Sequence, residues 1–274
     1  MTSVSSAPPS GTAVESHWLG DLLGQTGAIA AVELRKLVRD PMELLTRAIQ
    51  PALWLLVFGQ VFSRIRAIPT GDLSYLEFMA PGVLAQGVLF AAIFYGIGVI
   101  WEKDLGIVHK LLASPASRVS LVLGKAVAAA VRSVPPTIII YILAGLLGVR
   151  LRLDPLHLTV VLLLSGIGSA TFATFSLVVA CLVKTRERFM GVGQVMTMPL
   201  FFASNAIYPI DLMPGWLQVL ARANPLTYLV DGLRSAMVVG GPAHFGLGVD
   251  VAAMAVVFVA LAWLAARLYP GLAR

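Results

Sequence analysis

A chain of 274 residues that is 58% hydrophobic and only 12% charged, with mean hydropathy +0.87, is composed as an integral membrane protein and not as a soluble domain. Its single cysteine, Cys181, excludes an internal disulfide and offers no thiolate metal cluster, which leaves packing as its role. The formal net charge of +6 would suggest nucleic acid in a soluble chain, but in a membrane protein basic loops on one side of the bilayer account for it.

Residues 1–16 are rich in Ser, Pro, Thr and Gly and read as a disordered tail. No basic start and apolar core precede a small-residue cleavage site, so they do not read as a signal peptide. From His17 to Asp40 the pattern is helical, with Glu33, Arg35, Lys36, Arg39 and Asp40 crowding its end. Pro41 is expected to start the next helix, because proline is tolerated at the first helical position. A bilayer core of about 30 Å takes roughly 20 apolar residues per helix, which allows six spans at about 44–62, 78–101, 119–149, 156–183, 189–207 and 251–268. The reading is thus an all-α membrane protein, a single transmembrane domain over residues 17–274. Twelve basic residues fall in the loops and ends of one side, among them Arg35, Lys36, Lys103, Lys110, Arg118, Arg186 and Arg274, against six on the other. That asymmetry puts both termini and the 102–118 loop in the cytoplasm.

Three stretches stand out against this background. The first is Trp101 to Lys125, a charged island between two apolar runs. Within it Leu105, Val108, Leu111 and Leu112 recur at helical spacing, and Ser114-Pro115 ends the short helix. Glu102 and Asp104 are expected in its first turn, where carboxylates favour the positive end of the helix dipole. Such a helix either rests on lipid headgroups or fills a groove on a soluble partner.

The second stretch follows the fifth span, where Pro199, Pro209, Pro214, Pro225 and Pro242 leave no room for a straight helix. It reads as short helices dipping into the outer leaflet, either a structural plug with Trp216 at the interface or the lining of a cavity. Asp231 and Arg234, three residues apart, are placed for a helical ion pair. The third feature is Arg132, the one charge well inside an apolar run, which should face protein or water or snorkel to the surface; snorkelling toward the cytoplasmic side near Lys125 is favoured over a place in a transport path. Pro135-Pro136 is expected to kink the third span. The small residues Ser165, Gly166, Gly168, Ser169, Ala170 and Ala173 of the fourth span, with Gly96 and Gly98 of the second, permit close helix packing within one subunit or against a second copy.

What is missing is informative as well. Gly124-Lys125 has Val119 where a phosphate-binding loop carries its first glycine, and Ala126 where Ser or Thr follows. No metal-spaced His or Cys set, H-E-x-x-H or G-x-S-x-G elbow is present. Glu77 and Asp250 precede spans two and six, so the carboxylates that a proton- or sodium-coupled carrier ordinarily needs are absent from mid-span.

Two of these stretches carry a resemblance. Glu102-Lys103-Asp104-Leu105-Gly106, then Leu111-Leu112-Ala113-Ser114-Pro115-Ala116-Ser117-Arg118 and Gly124-Lys125, resemble the E-[KR]-[DE]-x-G, LLxxPxSR and GK run of ABC-2-type transporter permeases. The second is similar to the permease signature F-x-x-x-A-x-YP, P-x-W and NP-[LF]-[TS]-Y-x-x-[DE]-x-[LI]-R, matched from Phe202 through Arg234. The likeness covers most of the chain from about residue 27, and is nearest to daunorubicin-resistance and nodulation-factor export permeases.

The resemblance implies that 102–114 is a cytoplasmic coupling helix, with Glu102, Lys103, Asp104, Leu105, Val108, Leu111 and Leu112 meeting a separate ATPase subunit. It implies that the 17–40 helix is an amphipathic one lying along the cytoplasmic face before the first span, and that an outer-side re-entrant hairpin between spans five and six carries Tyr208, Pro209, Trp216, Asn224, Pro225, Tyr228, Asp231 and Arg234. Two permease copies would pair with two ATPase copies in a bacterial plasma (inner) membrane, with ATP and magnesium held by the ATPase and no cofactor in this chain. Phe90, Phe94, Tyr95, Met198, Phe201 and Phe202 either line an apolar path or pack the core. Drug efflux is the favoured cargo, with lipid, glycolipid or polysaccharide as the alternative. A stand-alone secondary carrier or an intramembrane enzyme is the rival of a different class.

Overall fold

The computed structural model describes residues 14–39, 49–65, 68–114, 116–183 and 185–273. These are helical almost throughout, and the one β feature among them is an isolated antiparallel bridge between Leu151 and Val238. The sequence-predicted onset of the first span, with Pro41 and Arg47, and most of the expected disordered tail lie outside the described residues.

Helix α1 (Val14–Arg39) begins slightly before the expected amphipathic helix. Segment α2 (residues 49–65) contains a π-helical stretch, Trp54–Gly59. Helix α3 (Tyr75–Ile93) starts at a capping box: the Ser74 side chain accepts from the Glu77 N–H and Glu77 accepts from the Ser74 N–H. Such a cap stabilises a helix start by about 0.5–2 kcal/mol. Helix α4 (Tyr95–Asp104) continues α3 after a turn residue, Phe94. The short α5 (Ile107–Ala113) follows Gly106, whose φ of 71° is open to glycine and strained for other residues.

Helix α6 (Arg118–Arg132) is capped by Ser117, and α7 (Val134–Leu146) starts on Pro135-Pro136. The third span is therefore two helices meeting at Ser133 and ending at 146, where the sequence pattern ran to 149. Neither proline has an N–H for the helical ladder. Helix α8 (Pro155–Val183) is central and packs on α3, α4, α6, α7, α9, α11 and α12. Helix α9 (Arg186–Phe202) gives way to α10 (Gly215–Ala223) and α11 (Pro225–Met237). Helix α12 (Leu247–Leu268) leads into a 3₁₀ turn, Tyr269–Ala273.

Four of these helical runs are long and apolar enough to cross a membrane: Tyr75–Asp104, Arg118–Leu146, Pro155–Val183 and Leu247–Leu272. The expected second, third, fourth and sixth spans map onto them. Helix α9, at 17 residues, rises only about 26 Å, and it ends at Phe202 instead of the expected 207. Beyond that point Ala203–Pro209 leave the helical path.

The small residues of α8 pack within the chain. Ser165, Gly168, Ser169 and Ala173 are buried. Ser169 Oγ donates to the Ala129 carbonyl of α6 at 2.7 Å. Ser176 Oγ donates to the Ile93 carbonyl and accepts from the Gly96 N–H at 2.9 Å. Where lipid is as apolar as the side chains, such close packing and interhelical hydrogen bonds, about 0.6 kcal/mol each, hold the bundle.

Candidate functional site

Lys125 and Arg132 stand seven residues, about two turns, apart on one face of α6. That face meets α1 and the end of α4. The Lys125 side chain, 2% exposed, donates to Glu33 Oε1 of α1 at 3.0 Å and to Glu102 Oε2 of α4 at 2.6 Å. Arg132 donates to the Glu33 backbone carbonyl at 3.0 Å and approaches its Oε2 at 3.3 Å. The guanidinium also lies 5.1 Å from the centre of the Tyr95 ring, with Lys125 at 5.7 Å from it.

Among the described residues two cations thus face two carboxylates in a nearly closed cluster. Burying each ion costs several kcal/mol of lost hydration, which is offset only when every partner stays in place. Arg132 is therefore held by α1 and Tyr95, and it shares Glu33 with Lys125. Gln25 of α1 adds a second tie. Its Oε1 accepts from the Ser117 N–H at 2.9 Å and from Ser120 Oγ at 3.0 Å.

The cluster fixes the segment leading into α5. Glu102 and Asp104 lie in the last turn of α4, and the helix they were expected to begin starts at Ile107, beyond the Gly106 turn. Asp104 accepts two hydrogen bonds from Arg186 of α9, at 2.6 and 3.0 Å, and that guanidinium lies 4.3 Å from the centre of the Trp101 ring. Val108 is fully buried, packed among Leu121, Leu177, Tyr269 and Leu272. Leu111 and Leu112 are half-buried against the same group. The apolar stripe of α5 thus faces the chain's own bundle, while Leu105, His109 and Lys110 are exposed, Leu105 to 68%. Lys103 is intermediate. Helix α1, α5 and the C-terminal turn share one end of the bundle.

The Phe202–Arg234 stretch gathers at the other end. Asn224 caps α11 by accepting from the Leu226 N–H at 3.0 Å, while its Nδ2 donates to the Leu200 carbonyl at 2.6 Å and the Ala203 carbonyl at 3.1 Å. Pro225 occupies the first helical position. Tyr208 donates to the Phe202 carbonyl and Tyr228 to the Arg222 carbonyl, each at 2.6 Å; partial burial pushes the Tyr208 hydroxyl above its ordinary pKa, so it remains a donor. Trp216 is 67% exposed.

Arg234 is buried. It donates to the Asn205 carbonyl at 2.7 Å and the Phe78 carbonyl at 3.3 Å, with its guanidinium 3.9 Å from the Phe78 ring centre. Burial lowers its pKa to about 10, opposed by the nearby Asp231 charge, so it stays a cation at neutral pH. Asp231 accepts from the Phe245 N–H at 2.9 Å. The two residues stitch different elements together and do not form the simple i,i+3 bridge that their spacing suggested.

The aromatic candidates are divided. Phe201 is buried against Trp54 and Phe202, Phe90 is intermediate, and Tyr95 belongs to the charge cluster. Phe94, Met198 and Phe202 lie on the outer surface of the subunit. Sequence reasoning missed the Glu33–Lys125–Glu102 cluster. The available signal was a glutamate, a lysine and an arginine each interrupting an apolar helical stripe, but sequence cannot show that three helices bring them together.

The model of a family described as ABC-2 type transporter matches residues 24–238. The chain is 32% identical over 207 residues to a putative transport permease, ycf38, of Cyanophora paradoxa, covering 73% of this chain and 69% of that one. It is 27% identical over 233 residues to the daunorubicin resistance ABC transporter permease protein DrrB1 of Streptomyces coeruleorubidus, covering 84% and 80%. Nodulation protein J of Rhizobium meliloti is 27% identical over 202 residues, covering 72% and 76%.

Proposed function

The chain belongs to the ABC-2 type transporter family, and from that premise we propose that it is the membrane subunit of an ATP-driven exporter. Two copies would pair with two copies of a separate ATPase in a bacterial plasma membrane, with both termini cytoplasmic. The observation that carries this reading is the corner from α4 into α5, pinned at one end of the bundle with Leu105 just before the Gly106 turn and His109 and Lys110 on α5 turned outward. The proposed docking face is that exposed set together with Lys103 and Asp104. Glu102, Val108, Leu111 and Leu112 hold the helix to the subunit, so that force on α5 is transmitted to α1, α4 and α6. ATP and magnesium are assigned to the partner. Lys125, the lysine of the Gly-Lys pair, is buried between two glutamates and is not free to bind phosphate.

Relatives named for daunorubicin or doxorubicin resistance support an amphipathic or hydrophobic cargo. The re-entrant reading of 203–234 places that region at the exit. It is supported by the break at Phe202 and the two short helices that follow.

The test is co-purification with the candidate ATPase. Leu105→Asp is expected to leave the melting temperature of the subunit unchanged, because the side chain touches little of it. The ATPase should be lost from the complex, since a carboxylate would then face an apolar groove. Undiminished pairing and ATP-dependent transport in this variant would remove α5 from the coupling role. Orientation has its own test in a Cys181→Ser background. Thr70→Cys is expected to react with an impermeant thiol reagent in intact cells, and Ala273→Cys only after lysis; the reverse pattern would invert the topology.

A further inference from the structure

We infer that the end of the bundle opposite α5 holds a binding site for an organic ammonium group, in a cavity where α3, the turn after α9 and α11 meet. The inference rests on the exporter reading and names a class of cargo for it. The cavity has a volume of about 340 Å³ and is lined in part by Phe78, Asn205, Asp211, Asp231, Arg234 and His244. That size lies at the lower end of small-ligand pockets.

Its chemistry is set by an excess of acceptors. Arg234 is the cation among the described lining residues, and its guanidinium is already directed at the Phe78 and Asn205 carbonyls and the Phe78 ring. Two carboxylates, Asp211 and Asp231, oppose it. Asp231 is 1% exposed and accepts from the Phe245 N–H with Oδ2 alone. Asn205 is 3% exposed, and its Oδ1 is buried without a hydrogen-bond partner. A buried acceptor left without a donor is destabilising, so a donor entering from the cavity is favoured there.

The lining therefore asks for positive charge and N–H donors. An anion would meet two carboxylates. A metal ion is disfavoured, because no group of three or more His, Cys, Asp or Glu among the described residues is arranged to hold one. The remaining walls include Pro209 and Ile210, which suit a carbon body behind the charge. An alkyl- or arylmethylammonium meets all of these conditions.

The experiment uses the full chain in nanodiscs, without an ATPase. The probes are fluorescent 1-naphthylmethylammonium and its neutral counterpart 1-naphthylmethanol, with empty discs subtracted. The titrations are run at about pH 8, where the probe amine is still charged. The wild-type chain is expected to bind the ammonium about tenfold more tightly than the alcohol.

Asp231→Asn keeps an acceptor for the Phe245 N–H and should bring that ratio to about one. Asp211→Asn, on an exposed turn where folding is not at stake, should reduce it about two- to fivefold. No preference in the wild-type chain, or a preference that survives both substitutions, would overturn the site. Leu105→Asp should leave the ratio unchanged. A chain that pairs with the ATPase but lacks the preference therefore overturns the site alone. One that keeps the preference but never pairs supports the site and overturns the exporter reading.

Discussion

Lys125→Ala is expected to strip the protein of most of its folded population. In the intact chain the Lys125 ammonium lies between Glu33 and Glu102 at 3.0 and 2.6 Å, with all three side chains at most 10% exposed. Without it two carboxylates of α1 and α4 lie close together out of water and lose the cation they share. Removing one partner of such a buried set destabilises by about 3–5 kcal/mol, against a total stability of about 5–15 kcal/mol for a typical domain.

The measurement is the melting temperature of the detergent-solubilised chain by fluorescence-detected gel filtration, together with its yield. A companion variant separates charge from packing. Lys125→Met combined with Glu102→Gln removes one cation and one carboxylate together, leaves the Arg132–Glu33 pair in place and should recover much of the loss. Wild-type melting in Lys125→Ala would mean that the cluster is solvated or loosely held. Glu102→Ala should likewise lower stability, so a failure to pair with the ATPase in that variant would not by itself report docking. Leu105 is the cleaner position because it is exposed.

The second large effect is expected at Gly82. Helix α3 passes so close to the turn after α9 that a side-chain carbon at Gly82 would overlap the Ala206 carbonyl oxygen and lie within 2.7 Å of its Cα. Both obstacles are backbone, so the helix or the turn must move. Forcing atoms into a packed contact of this kind costs about 1–3 kcal/mol, and more where relaxation is blocked. Relaxation is restricted here, because Arg234 bridges the Phe78 and Asn205 carbonyls on either side of that contact.

Gly82→Val should therefore lower the melting temperature strongly and Gly82→Ala less so. Gly98→Ala, on α4 with nothing within 4 Å of the added carbon, should be neutral or slightly stabilising. A neutral Gly82→Val would show that α3 and the 203–209 turn are not packed as described.

The sequence by itself determined the membrane class, four of the spans to within a few residues, and the breaks around them. Hydropathy and proline act locally: an apolar run of sufficient length has no other stable use, and Pro135-Pro136 and Pro199 through Pro225 interrupt helices wherever the chain travels. The two motif stretches were legible too, as the run 101–125 and the run 202–234. Tertiary structure alone decided what their charged residues do. Glu102 was readable as a helix-starting carboxylate, Arg132 as a snorkelling cation, and Asp231 with Arg234 as neighbours on one helix. Each has its main partner 14 or more residues away. The orientation of α5 was likewise undecided, since an amphipathic stripe tells which residues share a face but not what covers it. The cause is the same in each case. A charge in an apolar setting must find an opposite charge or a carbonyl, and its partner is chosen by which helices pack together, which depends on the whole chain.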